Sequence, residues 1–354
     1  MMDIASLFSL EGQPVGCKPH GNGHINETYR VTTDKGRDYI LQRMNTQVFP
    51  DADGLMRNVA AVSGHLRRKC GDPRRVLTLV PTVDGALYHR TEEGACWRML
   101  AFIPGGVCLE QAESAADMRE CGVGFGTFQS QLADFPAQTL VETIPRFHDT
   151  PERYRQLRQA IQEDRAGRLR EVGREVEEYL AREAEAGSLT RLQREGSLPT
   201  RVTHNDTKIN NIMLDAQTRK TLCVLDLDTV MPGLVAHDFG DAIRSGASTA
   251  LEDERDLNKV TLSLPYYEAF AEGFLSVCGD SLTETEWETL PLGAKLMTLE
   301  CGSRFLADYL NGDVYFHVSR DGHNLDRART QLKLVQDMEN HWDEMRRIVA
   351  RAKK

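Results

Sequence analysis

The chain has 354 residues, 40% of them hydrophobic and 27% charged, the balance of a soluble globular protein long enough for two modest domains, each with its own core. A net charge of −10 and a pI near 5.6 argue against nucleic acid or an anionic membrane as the main partner, so a phosphate-rich ligand must find its positive charge locally. The eight cysteines form no C-x-x-C pair, the N-terminus lacks a basic and then apolar leader, and no apolar run nears the ~20 residues of a membrane span; a cytoplasmic protein with reduced thiols is expected.

After a short amphipathic start around residues 4–10, strands are predicted at 15–19 and 26–33. Between them runs His20-Gly21-Asn22-Gly23-His24, and a glycine-rich turn between strands lets backbone amides approach phosphates because no Cβ stands in the way. Alone, G-N-G is equally a hairpin turn. Joined to the downstream motif below, it reads as a lid over a nucleotide, with Gly21, Asn22 and Gly23 as its contacts. Residues 37–44 form a third strand. Protein kinases place there a Lys that pairs with a helix Glu. Here the strand offers Gln42 and Arg43, and the helical stretch 53–69 contains no Glu, so phosphate anchoring is expected to run through Gln42 and backbone amides. Residues 76–81, 86–89 and 95–102 complete a small sheet. Ile103-Pro104-Gly105-Gly106 then breaks the pattern, sheet before it and mostly helix after, and the backbone of Ala101, Phe102 and Ile103 at this hinge is the expected reader of a nucleotide base.

Helical periodicity covers 114–135 with Ser114 as N-cap, and Thr150-Pro151-Glu152 opens another helix by cap, proline and acid. The charged stretch 151–187 reads as solvated helical surface. Residues 201–228, RVTHNDTKINNIMLDAQTRKTLCVLDLD, carry the chemistry: His204-x-Asp206, then Asn211, two apolar strands, and Asp226-x-Asp228. Phosphoryl transfer needs a base beside the attacking hydroxyl and cations on the β- and γ-oxygens, and this order of Asp, Asn and Asp is that of a kinase catalytic loop. Asp206 is the expected base and Lys208 a charge near the transferred group. Asn211 and Asp226 are the expected metal ligands, with Asp228 a second carboxylate pointing the same way along a strand. Taken singly, each of these is as readily a turn residue; the joint order is what favours the catalytic reading.

The letters Asp238-Phe239-Gly240 resemble the kinase metal motif, but they lie far from His204 and follow no predicted strand. Asp238 and Asp241 are read instead as helix-start acids that pin the loop. The remainder is helical, at 265–277, 284–310 and 324–353. Within it, Arg304 is either a buried i,i+4 partner of Asp308 or, with Tyr315, part of a sugar-binding wall.

Longer strings carry a family likeness: GHIN (23–26), MRNV (56–59), FHDTP (147–151), RVTHNDTK (201–208), DLDT (226–229), GASTALEDE (246–254), RFLADYL (304–310) and KLVQ (333–336). On these the chain resembles the aminoglycoside phosphotransferase and choline kinase superfamily, and within it the N-acetylhexosamine 1-kinases. The resemblance implies an α+β, bilobal protein-kinase-like fold, with a small antiparallel-sheet N-lobe for nucleotide (1–102) and a larger, mostly helical C-lobe for catalysis and sugar (103–354). It implies Mg²⁺-dependent transfer of the γ-phosphate of ATP to the anomeric C1 hydroxyl of N-acetylglucosamine or N-acetylgalactosamine, by a monomer with neither nucleic acid nor membrane as partner. By matching position, Asp206 is the base, Asn211 and Asp226 bind metal, and Arg304, Tyr315 and His24 contact the sugar. Two other readings stay open. One is a kinase for another small alcohol, of aminoglycoside, choline or homoserine type, which calls for an acidic pocket when the substrate is a cation. The other is a silent nucleotide-binding regulator, suggested by the missing Lys–Glu pair.

Overall fold

The computed structural model describes residues 1–21 and 25–353. The chain divides into two compact units: Met1–Cys108, Asp134–Pro145 and Ile212–Pro232 form the first, and Leu109–Ala133, Arg146–Asn211 and Gly233–Lys354 the second. Residues 1–102 fall in the first unit, which also takes residues 103–108 and two later segments.

In the first unit, β1 (Pro14–Pro19), β2 (Glu27–Thr33), β3 (Asp38–Met44), β4 (Leu79–Val80), β5 (His89–Arg90) and β6 (Cys96–Ala101) build an antiparallel sheet in the order β1-β2-β3-β6-β4, with β5 also on β6. Alternation sets its faces. Leu41 lies opposite Met99 and Tyr39 opposite Ala101, which puts Tyr39, Leu41, Trp97 and Met99 into one apolar cluster with Phe8, Val31 and Val80. Gln42 and Arg98, opposite each other one residue along, face the other way. The helix Ala52–Lys69 is capped by Asp51, which accepts from the Gly54 amide at 2.8 Å, and it buries Leu55, Met56, Val59, Val62 and Leu66 along one stripe. Its Asn58 explains how later segments join this unit: the side chain donates to the carbonyls of Val141 (2.8 Å) and Val230 (3.0 Å) and accepts from the Val141 amide at 3.1 Å.

The Pro-Gly-Gly break is a turn between strands rather than the end of strand pairing. Gly105 takes the left-handed backbone (φ 73°) and β7 (Gly106–Cys108) pairs with the strand Ile212–Asp215, which pairs in turn with Thr221–Val224.

The second unit is helical. Ser114 caps the helix Ala115–Gln131 as expected, and Asp149, one residue earlier than the sequence suggested, caps Thr150–Glu163. The stretch 151–187 is not surface throughout: Leu157, Ala160, Val176 and Tyr179 are buried with Leu296, Leu299, Phe305 and Leu306, so the charges occupy only the outer face. Two helix pairs approach to backbone contact through glycine. A Cβ on Gly122 would stand 2.3 Å from the Phe270 carbonyl oxygen of the helix Leu264–Cys278. One on Gly293 would stand 2.1 Å from that of Ala236, so the helix Val235–Gly246 rests directly on the long helix Glu284–Asn311. Among the described residues, no helix is long and apolar enough to cross a membrane.

Candidate active site

In the second unit, the short strand Arg201–Thr203 delivers the chain to His204, whose ring is buried edge-on to Phe125 and Phe128 at 5.6 and 5.8 Å. Asn205 then turns into the left-handed region (φ 63°), a conformation that asparagine tolerates better than most residues. Asp238 fixes this turn: its two oxygens accept from the amides of His204 (2.9 Å) and Asn205 (2.7 Å), and Gln129 donates to it at 2.7 Å. Burial raises its pKa, against the pull of His204 and these donors. A three-residue strand, Met231–Gly233, does precede the Asp-Phe-Gly letters, yet this carboxylate is spent on the loop, as the helix-start reading requires.

A second clamp comes from His148. One ring nitrogen bonds the Asn205 carbonyl at 3.0 Å and the other Glu300 at 2.8 Å, while Thr150 donates to the second Glu300 oxygen at 2.8 Å. Burial pushes the His148 pKa down, but Glu300 and the Asn205 carbonyl more than offset it and leave it raised; both nitrogens therefore donate. Burial pushes Glu300 up and His148 brings it down to about 2. Neither residue was singled out from the sequence. Both lie in or beside quoted strings, FHDTP and the segment before RFLADYL, but nothing local joins them.

Held by these clamps, Asp206 presents one oxygen to Lys208 (3.1 Å) and the other to the Asn211 side-chain amide (3.0 Å). Burial raises its pKa, and Lys208, His204 and Asn211 overcome this to leave it lowered, an ionised carboxylate. Lys208 is raised in turn, chiefly by Asp206. Asn211 spends its NH₂ on the Asp206 carboxylate and carbonyl, which leaves its side-chain oxygen as an acceptor.

In the same unit, Arg304 is not paired to Asp308. Asp308 is buried and accepts from the amides of Val314 (3.0 Å), Tyr315 (2.9 Å) and Phe316 (2.9 Å), pinning the loop that carries Tyr315. The Arg304 guanidinium lies among the rings of Phe147 (5.7 Å), Tyr315 (5.7 Å) and Phe316 (5.3 Å), with the Tyr315 hydroxyl at 3.5 Å. Arg304, one helical turn beyond Glu300 and partly buried, and the exposed Tyr315 thus form one cationic and aromatic surface.

In the first unit, the strand Thr221–Val224 ends before Asp226, which takes a left-handed backbone (φ 54°) and leads into the 3-10 turn Leu227–Thr229. Asp228 differs from the expectation of a metal ligand. It is buried, and Arg98 holds both its oxygens, the second at 3.0 Å, while Asn26 donates to that second oxygen at 2.8 Å. Gln42 is likewise committed, accepting from Arg98 Nε at 2.9 Å and donating to Thr28 at 3.1 Å, so it is a brace for Arg98 rather than a free phosphate ligand. At the hinge, the Ala101 amide goes to Thr78 (2.9 Å) and that of Phe102 to Asp38 (3.3 Å); among the described residues the Ile103 amide has no such backbone acceptor. His20 packs edge-on to Phe102 at 6.0 Å, and Gly21 is left-handed (φ 72°) with open space around it. Asn22, Gly23 and His24 lie outside the described residues.

Among the described residues, no cluster of three or more His, Cys, Asp or Glu side chains stands ready to hold a metal alone. The two donors expected from the sequence, the Asn211 side-chain oxygen in the second unit and the Asp226 carboxylate in the first, are each hard oxygens. Oxygen donors of this kind suit Mg²⁺, which takes one or two protein carboxylates and completes its shell with water and substrate phosphates.

A family model described as a phosphotransferase enzyme family matches residues 16–272. Among solved structures, the chain is similar to an aminoglycoside phosphotransferase from Alicyclobacillus acidocaldarius (TM-score 0.63, 15% identity, 99% of this chain and 96% of that one). A spectinomycin phosphotransferase bound to ADP and its antibiotic gives TM-score 0.64 at 10% identity, over 96% and 97% of the two chains. An amicoumacin kinase bound to AMP-PNP and Ca²⁺ gives TM-score 0.62 at 15% identity, over 93% and 91%. These likenesses establish the protein-kinase-like fold, with an antiparallel-sheet N-terminal region and a helical C-terminal region. With a match over well more than half its length, and with its Asp206, Lys208 and Asn211 constellation inside the matched span, the chain belongs to the phosphotransferase enzyme family.

Proposed function

We propose that the protein is a small-molecule kinase that transfers the γ-phosphoryl group of Mg²⁺·ATP to the C1 hydroxyl of N-acetylglucosamine or N-acetylgalactosamine, giving the hexosamine 1-phosphate and ADP. The observation that carries this reading is Asp206, an ionised carboxylate on a loop that His148 ties by hydrogen bonds to the helix bearing Arg304, which supports a base and a sugar contact in one unit. The acceptor oxygen attacks the γ-phosphorus as the bond to the ADP oxygen breaks, and the hydroxyl proton passes to Asp206. A hemiacetal hydroxyl is more acidic than an ordinary alcohol, so a carboxylate with a lowered pKa suffices. Lys208 offers its ammonium to the transferred group, and Asn211 and Asp226 are the residues that would hold the metal. When bound, Mg²⁺ neutralises the β- and γ-oxygens. Arg304 and Tyr315 donate to ring hydroxyls and the acetamido carbonyl; a sugar that leaves such a donor unpaired loses about 1–3 kcal/mol. The cationic character of this wall disfavours choline-like acceptors.

A coupled ADP-release screen over free hexosamines, amino alcohols and aminoglycosides tests the substrate class, and phosphorus NMR of the product tests the position. N-acetylhexosamines are expected to turn over best, and their methyl glycosides not at all. A 6-phosphate product, or turnover of the methyl glycoside, sinks 1-phosphorylation and leaves a general small-alcohol kinase.

A further inference from the structure

The third strand lacks the lysine that protein kinases use, yet the sheet still carries a buried cation on the neighbouring strand. Arg98 on β6 stands opposite Gln42 and is 3% exposed. Each of its three nitrogens donates within the first unit: Nε to Gln42 and the two terminal nitrogens to Asp228. Asp228 is held by two further donors, one of them itself braced. Asn26 donates to its carboxylate at 2.8 Å, Thr143 donates to its carbonyl at 2.9 Å, and Asn26 in turn accepts from the Asn45 amide at 3.0 Å. Two residues before Asp228 is Asp226 in its left-handed backbone, a conformation that costs free energy and persists only where neighbouring contacts impose it.

We infer that Arg98 is a positioning residue for metal–nucleotide binding: by holding Asp228 with a two-pronged guanidinium it fixes the turn that presents Asp226, and it keeps Asp228 itself off the metal. The inference rests on the kinase reading above. Two features support it beyond the contact list. A buried ion pair is a poor source of stability compared with apolar packing, so a fully braced one points to a geometric duty. The same carboxylate also accepts from Asn26 at the start of the second strand region, so one anchor ties the Asp226–Asp228 turn to the sheet.

Arg98→Lys keeps the charge and loses the fork. Binding of Mn²⁺ with AMP-PNP, followed by electron paramagnetic resonance and calorimetry, is expected to weaken about 10–100-fold in this variant while its melting temperature stays near that of wild type. A purely structural role would instead lower the melting temperature and the active fraction and leave the dissociation constant alone; that outcome overturns the inference. Should Arg98→Lys fail to fold, Asn26→Ala, which retains the ion pair, is expected to weaken the same binding by a few-fold, and an unchanged constant there also overturns it. Wild-type protein that binds no Mn²⁺ with AMP-PNP overturns the kinase reading and this inference together, whereas normal wild-type binding with unaffected variants overturns this inference alone.

Discussion

Asp206 shares its two oxygens between Lys208 and Asn211, so replacing it by Asn preserves shape and one acceptor while removing the carboxylate proposed to take the proton. Asp206→Asn is expected to lower kcat by roughly 10²–10⁴ while nucleotide binding persists, measured by steady-state kinetics beside calorimetry. Near-normal turnover would show that the base lies elsewhere. The His148–Glu300 pair makes a second residue-level prediction, in pH. His148 has a folded pKa raised above 6.5, so the stability it contributes is complete below about 6.5 and fades as pH climbs through the raised value. Glu300 is depressed from 4.5 to about 2, so its contribution is complete above 4.5 and fades as pH falls toward 2. Both are therefore fully present between 4.5 and 6.5. His237, 5.3 Å from His148, is buried, with its pKa brought down to about 3 first by burial and then by His148; it works the opposite way, costing stability as pH falls below 6.5. It is present in both proteins of the comparison. His148→Gln is expected to cost about 3–5 kcal/mol at a pH near 5.5 and distinctly less near 9, by urea denaturation. An equal cost at both pH values would remove the imidazolium assignment.

At the scale of elements, the crossing of Val235–Gly246 on Glu284–Asn311 decides where Asp238 stands, because that residue rides on the first of these helices. Gly293→Ala gains up to about 1 kcal/mol of helix propensity but drives a methyl into the Ala236 carbonyl, a backbone atom with no rotamer to yield. Overpacking of about 1–3 kcal/mol is expected to win, with kcat falling as the loop pinned by Asp238 shifts. A net rise in denaturation midpoint with unchanged kcat would show that the helices can part without cost. Such crossings also mark the limit of what the sequence discloses. The strands, the Ser114 cap and the helix Ala52–Lys69 were legible because their signals are alternation, periodicity and capping, all local. The surroundings of Asp228 were not legible because period-two logic ends with its strand: the chain leaves extended structure at Val224, and Arg98, which holds Asp228, lies 130 positions away. The i,i+4 rule failed at Arg304 for a related reason, since three convergent amides of a following loop outbid one half-exposed guanidinium for Asp308. His148 and Glu300, 152 positions apart, had no local signal at all.

For the molecule as a whole, a ligand that binds the native chain and not the unfolded one raises stability by mass action, about 2.7 kcal/mol at a hundred times its dissociation constant. The protein carries a net charge of −10, and a nucleotide adds further negative charge, so under the proposed function the gain is expected to depend on the metal that neutralises the phosphates. AMP-PNP with Mg²⁺ is therefore expected to raise the apparent melting temperature by several degrees, on the order of 2–4 °C per kcal/mol for a chain somewhat smaller than this one, and AMP-PNP with a chelator by much less. Asp226→Ala removes the carboxylate proposed to hold the metal, so the Mg²⁺-dependent increment is expected to disappear. Asp238→Ala is expected to behave in the opposite manner, because it strips two buried amides of their acceptor: the unliganded melting temperature drops. Scanning fluorimetry of the three proteins, with and without metal, separates these cases. An increment that survives in Asp226→Ala and vanishes in an otherwise stable Asp238→Ala would move the metal site to the Asp-Phe-Gly segment and overturn the assignment made at Asp226.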